Sequence, residues 1–360
     1  MPTFFANCRQ PLVLVILVLI SIYSRVSAST INCPNAPNLK PTPQTKVPVS
    51  LYIEGTLGIR QTSSKDENEF FVASEAELIN SCSQSLTAKT FIVPLPERLN
   101  IFADQSKDSR SGAFINVSSV DQKMAMEKKG PSWHAYAASF SDLRFVGATV
   151  RLAHGLLALD RKINSVQDLV GKRIGLVMRP SSLRVLQETL LSGVWGIYDQ
   201  IIVKEYPPGE MSKALEQDEV DAIFLPVIRE TKGKLLPINI DFNRRDIHWI
   251  SISSKDVKTA MEETLILADH MVLPDVTQSA NKEEDIGLIT FDVAWFTFAS
   301  TPDDVVYDFL QTVRHVCPSD INSCSTISTD HLLLWPKLEN GLIHPGAQRF
   351  YKEQSAIFYP

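Results

Sequence analysis

The chain has 360 residues, enough for about two domains of ordinary size, and its 44% hydrophobic and 21% charged residues are typical of globular proteins rather than disordered or fibrous ones. Its formal net charge is −6, and it contains no basic block. Because such a chain lacks the phosphate-neutralising attraction that drives nucleic-acid binding, we expect no nucleic-acid partner.

The first 28 residues have the layout of a secretory signal peptide. Arg9 is followed by the unbroken run LVLVILVLISIY at 12–23, and small residues then precede a predicted cleavage site near Ala28. A membrane-spanning helix needs about 20 apolar residues, so cleavage is favoured over a permanent anchor. We therefore expect a periplasmic or otherwise extracytoplasmic protein, in which residues 29–46, rich in Pro, Asn and Thr, form an extended arm.

Cysteine usage agrees with export. Cys8 would leave with the signal, and Cys33, Cys82, Cys317 and Cys324 would remain. An even number of cysteines in an exported chain favours disulfides, and no histidine has ligand spacing beside them to suggest a metal site. One arrangement joins Cys317 to Cys324 and Cys33 to Cys82, but four cysteines allow three pairings and the sequence leaves them open.

The predicted elements indicate an α/β fold. Strands are expected at 47–53 and 91–93, and the apolar stretch 143–159 suits a buried strand with its continuation. Between 163 and 228, short strands alternate with amphipathic helices, which predicts right-handed crossovers and a mostly parallel sheet. A long apolar strand is expected at 286–298.

Two helices are expected after that strand. The first starts at Thr301, where a Thr cap, a proline in the first turn and two acidic residues favour a helix N-terminus. Residues 344–347 are predicted to form a turn, and 348–356 the second helix.

Ser181 and Ser182 are the best candidates for contact with a ligand. They open a helix directly after a strand, and ligands of open α/β sheets bind beyond the carboxyl ends of strands, where helix N-termini favour anions. Their hydroxyls and the backbone N–H groups could hold a carboxylate. An ordinary serine N-cap explains the same residues equally well.

Two further segments are candidates because each follows or ends a strand. Glycines after the first strand allow close approach to a ligand, although a simple tight turn is the favoured interpretation. The strand that contains Asp221 is expected to end at the same sheet edge. The residues concerned are Gly55, Thr56 and Gly58 in the first segment and Pro226 and Val227 in the second.

The motifs of common enzymes are missing from this sequence. It has no HExxH, GxSxG, P-loop or paired CxxC motif, and its histidines do not cluster. We therefore expect no catalytic residue, no metal and no cofactor. Asp221 is expected to fix a turn rather than titrate, and His344 to pack rather than react.

Five segments carry motifs that are weak alone and fairly strong together. The last, with its HPGAQRFYKE sequence, is the most specific. The segments are Ile163–Ile174, Pro180–Ser182, Val220–Phe224, Asp304–Tyr307 and Ile343–Glu353. In this order they resemble the TAXI family of substrate-binding proteins from TRAP transporters, over roughly residues 130–357. The N-terminal third departs from the family, since Ile59-Arg60 stand where an aromatic residue is expected.

The resemblance implies a two-lobed type II periplasmic-binding-protein fold with the ligand cleft between the lobes. Residues 47–152 and 286–360 would form lobe I, and residues 153–285 lobe II. The implied function is that of an extracytoplasmic receptor for a small organic anion, a carboxylate or an amino acid such as glutamate. It would deliver this solute to the membrane permease subunits of a TRAP-type transporter.

Three alternatives keep the same fold. The protein could be an orphan binding or sensor protein without a transporter, or it could bind a thiamine-precursor or sulfonate-like solute. It could also be a secreted enzyme, which would require His134, His154 or Asp221 to meet in the groove between the lobes.

Overall fold

A computed structural model describes most of the chain from β1 onward. The described residues are 46–54, 76, 79–93, 99, 102, 112–134, 136, 140–231, 234–237, 248–264, 268–273, 286–316 and 342–353. The predicted signal peptide, the predicted arm except its last residue, and the candidate residues Gly55, Thr56 and Gly58 lie outside them.

The strands of the described residues form one mixed sheet. Their order across the sheet is β2-β1-β3-β11-β4-β7-β5-β6, with β10 beside β11, β8 beside β7 and β9 beside β4. They are β1 Val47–Glu54, β2 Leu86–Val93, β3 Ala113–Ser118, β4 Leu143–Ala158, β5 Arg173–Val177, β6 Ile202–Tyr206, β7 Ala222–Thr231, β8 Lys234–Pro237, β9 His248–Ile250, β10 Asp269–Leu273 and β11 Ile286–Phe298.

Helices cover this sheet and connect its strands. They are α1 Ser119–Met126, α2 Ser182–Glu188, α3 Met211–Glu216, α4 Ser254–Thr264, α5 Asp303–Val316 and α6 Pro345–Glu353. A π-helical segment, Thr189–Val194, directly continues α2, and short 3-10 turns occur at Ser132–His134, Val166–Leu169, Tyr198–Gln200 and Pro208–Glu210.

The sheet consists of two parallel groups of strands joined by two long antiparallel strands. In the first half of the molecule, β1 pairs in parallel with β2 and β3, and α5 and α6 pack on this side. In the second half, β5 pairs in parallel with β6 and β7. The crossing strands β4 and β11 are antiparallel. Their pairing extends from Leu143 opposite Phe298 to His154 opposite Ile289. The expected α/β fold is confirmed, and the two groups of parallel strands are joined by crossing strands. The division into two lobes stays a prediction.

Burial on both faces explains why the long strands lack a period-two pattern. All 13 residues of β11 and all six of β3 are buried. Strands covered on both faces are continuous hydrophobic runs rather than alternating ones. One hydrophobic cluster includes Leu51 and Phe114 of the first half together with Leu176 and Leu186 of the second, so the two halves share a core.

Several predicted boundaries need correction. The strand expected at 91–93 is β2 and starts at Leu86, and the sheet as a whole is mixed, although β5, β6 and β7 are parallel as predicted. The turn predicted at 344–347 is wrong after His344, because α6 begins at Pro345. A proline costs nothing in the first turn of a helix, where its missing N–H has no intrahelical partner.

Two further features are the state of Cys82 and the length of the helices. Cys82 is disulfide-bonded, and its pairing stays a prediction. Among the helices that the structure describes, none is long and apolar enough to cross a membrane.

Candidate functional site

The strand β3 of the first half ends level with the middle of β4. Because β3 is antiparallel to β11 and β11 is antiparallel to β4, β3 runs in the same direction as β4. Ser118, the last residue of β3, lies opposite Val293, which in turn lies opposite Val150 of β4. The next residue, Ser119, begins α1. The start of α1 is therefore level with Val150.

The strand β5 of the second half runs in the opposite direction and ends level with a nearby residue of β4. β7 is antiparallel to β4, with Leu225 opposite Gly155, and β5 is parallel to β7. Extending that register places Val177, the last residue of β5, level with Leu225. The carboxyl ends of β3 and β5 thus face each other across residues 150–155, a stretch of roughly 17 Å at strand spacing. Helices α1 and α2 contact each other there.

A buried ion pair occupies the crossing strands at this junction. Arg151 and Asp292 are cross-strand neighbours, with 2.8 Å between Nε and Oδ1 and 3.4 Å between Nη2 and Oδ2. Their side chains are only 9% and 2% exposed. The backbone N–H of Asp292 donates to the Ser119 hydroxyl at 3.1 Å, which ties the pair to the first residue of α1. Each charge is hydrogen-bonded to the other, which offsets part of the cost of removing both from water.

On the α2 side, a buried histidine joins β4 to the helix. Gln187 of α2 donates through Nε2 to His154 Nε2 at 3.1 Å and to the Phe224 carbonyl at 3.2 Å. Its Oε1 accepts from the Val177 N–H at 2.9 Å, which fixes the amide orientation. His154 is fully buried, and this burial lowers its pKa to about 3. The imidazole is therefore neutral, with its proton on Nδ1.

Ser181 and Ser182 lie at the start of α2 and are buried. The Ser181 hydroxyl accepts from the Leu183 N–H at 3.2 Å, which is the ordinary N-cap contact. Their position just beyond β5 fits the predicted contact with a ligand, and that contact stays a prediction.

The expectation that Pro226 and Val227 end a strand is wrong, because β7 continues to Thr231. Pro226 is half-buried and lies opposite His154 of β4, where the pairing of β4 with β7 shifts register. A proline fits within a strand at such an irregularity, because no backbone N–H is needed there for a hydrogen bond to the neighbouring strand. Pro226 thus lies near the junction, although it does not terminate β7.

A carboxylate at the start of α1 collects several hydrogen bonds. Asp121 Oδ1 lies 2.7 Å from His134 Nε2 and accepts from the Tyr136 hydroxyl at 2.8 Å. Its Oδ2 accepts from the Ser118 hydroxyl at 2.9 Å. Serine and histidine both bind the aspartate, rather than the histidine binding the serine as a nucleophile–base pair requires. This arrangement fixes the Ser132–His134 turn to α1.

The condition for the enzyme alternative is not met among the described residues. His134 binds Asp121 and His154 binds Gln187, whereas Asp221 accepts from the Arg173 guanidinium at 2.7 Å. That hydrogen bond from Arg173 is the main reason why the pKa of Asp221 is lowered. Asp221 thus fixes the start of β5 rather than a local turn, because its partner Arg173 lies 48 residues away. Within the described ranges, no group of three or more His, Cys, Asp or Glu residues is suited to a metal ion.

The Arg151–Asp292 pair was missed by the sequence analysis. Arg151 lies in the otherwise apolar centre of β4, and Asp292 is the one charged residue in IGLITFDVAWFTF. A single charge in a strand that is buried on both faces needs a partner, and this was the available signal. The partner lies 141 residues away, which no local pattern reveals.

Distant likenesses to solved structures exist. MatC from Rhodopseudomonas palustris with bound malate is 11% identical, with 76% of this chain and 86% of that chain covered and a TM-score of 0.42. The amino acid ABC transporter substrate-binding protein AbpA from Streptococcus pneumoniae, bound to L-arginine, is 12% identical, with coverages of 74% and 86% and a TM-score of 0.36.

A family model gives the stronger result. The model of the NMT1-like family matches residues 113–355, about two thirds of the chain, from β3 to the end of α6. The narrower TAXI assignment is not confirmed by this match and stays a prediction. The chain belongs to the NMT1-like family.

Proposed function

We propose that this protein is an extracytoplasmic solute-binding receptor. It captures a small organic anion, a carboxylate or an amino acid such as glutamate, where the two halves meet. The observation that carries the proposal is the convergence of the carboxyl ends of β3 and β5 on the buried Arg151–Asp292 pair. In open α/β sheets, ligands bind beyond the carboxyl ends of strands.

The chemistry of this junction suits a carboxylate. A guanidinium has five N–H donors, and Asp292 accepts from two nitrogens of Arg151. The remaining donors of Arg151 would bind a solute carboxylate, while Asp292 keeps the guanidinium oriented. Ser181 and Ser182 at the start of α2 would add hydroxyl and backbone donors. Gly55, Thr56 and Gly58, outside the described residues, and Pro226 and Val227 complete the proposed contacts.

The proposed mechanism is capture and release by hinge closure. Lobe I, residues 47–152 and 286–360, and lobe II, residues 153–285, would rotate about the crossing strands and enclose the solute. The signal peptide predicted for residues 1–28 would place the receptor outside the cytoplasm. Membrane permease subunits of a TRAP-type transporter are the proposed partner.

A thermal-shift screen of residues 29–360 against carboxylates, amino acids and sulfonates tests this function. A ligand at 100 times its Kd adds about 2.7 kcal/mol to the free energy of unfolding, which raises the midpoint by several degrees at most in a chain of this size. A shift with one carboxylate or amino acid supports the proposal. A folded protein that responds to none of them contradicts it.

A matched pair of variants locates the binding. Arg151→Met combined with Asp292→Leu removes both buried charges together, because removing one alone would leave the other uncompensated. We expect this double variant to lose the ligand-induced shift. Arg349→Met, which removes the exposed ion pair between Arg349 of α6 and Asp304 of α5, should keep it.

A further inference from the structure

Two side chains from opposite halves of the molecule meet beside the junction. Trp133 lies in the 3-10 turn next to α1, and Arg179 lies between β5 and α2. The central carbon of the Arg179 guanidinium is 4.9 Å from the centre of the Trp133 ring. This distance is within the range of a cation–π interaction.

Trp133 is fixed on the first half by its neighbour. His134 binds Asp121, which lies in the first turn of α1 and also accepts from Tyr136. The rings of Trp133 and His134 are 5.6 Å apart. The indole is therefore held in place by the same helix that begins at the Arg151–Asp292 pair.

Arg179 is fixed on the second half by a shared carboxylate. Its Nε and Nη2 donate to Glu188 Oε1 at 3.0 and 2.5 Å. The same oxygen accepts from Arg184 Nε at 2.6 Å, and the Arg184 side chain is only 1% exposed. Because Glu188 is the last residue of α2, the guanidinium is anchored to that helix before it meets Trp133.

We propose that Trp133 and Arg179 form a latch that holds the two halves closed and thereby sets the rate of solute release. The effect on release rests on the proposed solute binding, and the effect on closure rests only on the proposed hinge motion. Both are positioning residues, since they act by holding α1 and α2 together. A cation–π contact that is partly exposed corresponds to roughly a three- to tenfold change in an equilibrium or a dissociation rate.

The first experiment needs no solute. Small-angle X-ray scattering of solute-free protein compares the wild type with Trp133→Leu, Arg179→Gln and the double variant. We expect a larger radius of gyration for each single variant, and the same value for the double variant because all three lose one contact. Trp133→Phe keeps an aromatic face and should keep the wild-type value. Equal radii for the wild type and both single variants would overturn the latch, as would additive increases in the double variant.

The second experiment uses L-glutamate as the probe in stopped-flow binding. Trp133→Leu and Arg179→Gln should raise the dissociation rate roughly three- to tenfold, while Trp133→Phe stays near the wild type. Unchanged dissociation rates in both variants would overturn control of release by the latch. Absence of L-glutamate binding in every protein would count against glutamate as the solute, and the scattering comparison would still decide whether the latch closes the halves.

Discussion

At the scale of single residues, the buried His154 should make the free energy of unfolding depend on pH. Its folded pKa is about 3, whereas an unfolded histidine titrates near 6.5. Only the unfolded chain therefore takes up this proton between those values, and stability is lost as pH falls from about 6.5 towards 3. The loss is at most about 1.4 kcal/mol per pH unit. Burial also lowers the pKa of His344, which adds to the loss in the same direction.

The variant His154→Gln tests this assignment. We expect its free energy of unfolding, measured by urea denaturation from pH 7 to pH 4, to fall less steeply than that of the wild type, by about one proton. Gln187→Met is the matched control, because it removes the same hydrogen bond without removing a titratable group. This variant should lower the free energy of unfolding by about the same amount at every pH. Parallel pH profiles for His154→Gln and the wild type would contradict the assignment.

At the scale of elements, the HPGA motif holds two helices together. His344 is fully buried and lies with Nε2 3.0 Å from the Thr301 carbonyl, while its Nδ1 accepts from the Gly346 N–H at 3.2 Å. A Cβ added at Gly346 would collide with the backbone of Asp303, the first residue of α5. The glycine therefore permits the close approach of α5 and α6. As predicted, His344 packs.

Gly346→Ala should consequently destabilise the protein, because neither backbone can yield without moving a helix. We expect a loss of about 1–3 kcal/mol in urea unfolding at constant m-value. Gly209→Ala is the control: nothing lies within 4 Å of an added Cβ there, so its stability should change by less than about 0.5 kcal/mol. A similar stability for both variants would show that the α5–α6 approach is not limited by Gly346.

The elements also show what the sequence could and could not predict. β11 was predicted with its observed bounds, because an apolar run of that length carries its own signal of burial. The start of α6 was placed three residues late, since the proline and glycine that suggest a turn also suit a first helical turn. The most specific motif proved to be a packing contact, so it indicates the fold better than the ligand.

The candidate site was less predictable because it is assembled by topology. Ser181 and Ser182 were found from a local rule about strand ends and helix starts. Arg151 and Asp292 face each other only because β4 and β11 cross between the halves. Which residues meet there depends on strand order and register, and neither has a local sequence signal.

At the scale of the whole molecule, the crossing strands should make unfolding one event. β4 pairs with β11 towards the first half and with β7 in the second, and both halves contribute to one hydrophobic cluster. Neither half can lose its strands without exposing apolar surface of the other. The hinge closure proposed above is compatible with this, because rotation about the crossing strands does not require either half to be stable alone.

Hydrogen-exchange mass spectrometry in increasing urea distinguishes this from two separate domains. Peptides covering 113–126 report on the first half, and peptides covering 174–191 on the second. We expect their slowest-exchanging amides to share one free energy of opening and one dependence on urea, because global unfolding exposes both together. A core substitution in the first half, Phe114→Leu, should then lower protection equally in both peptides, although Phe114 packs against Phe309 and belongs to β3. Lower protection confined to 113–126 would instead mean that the halves unfold separately and that the shared core does not couple them.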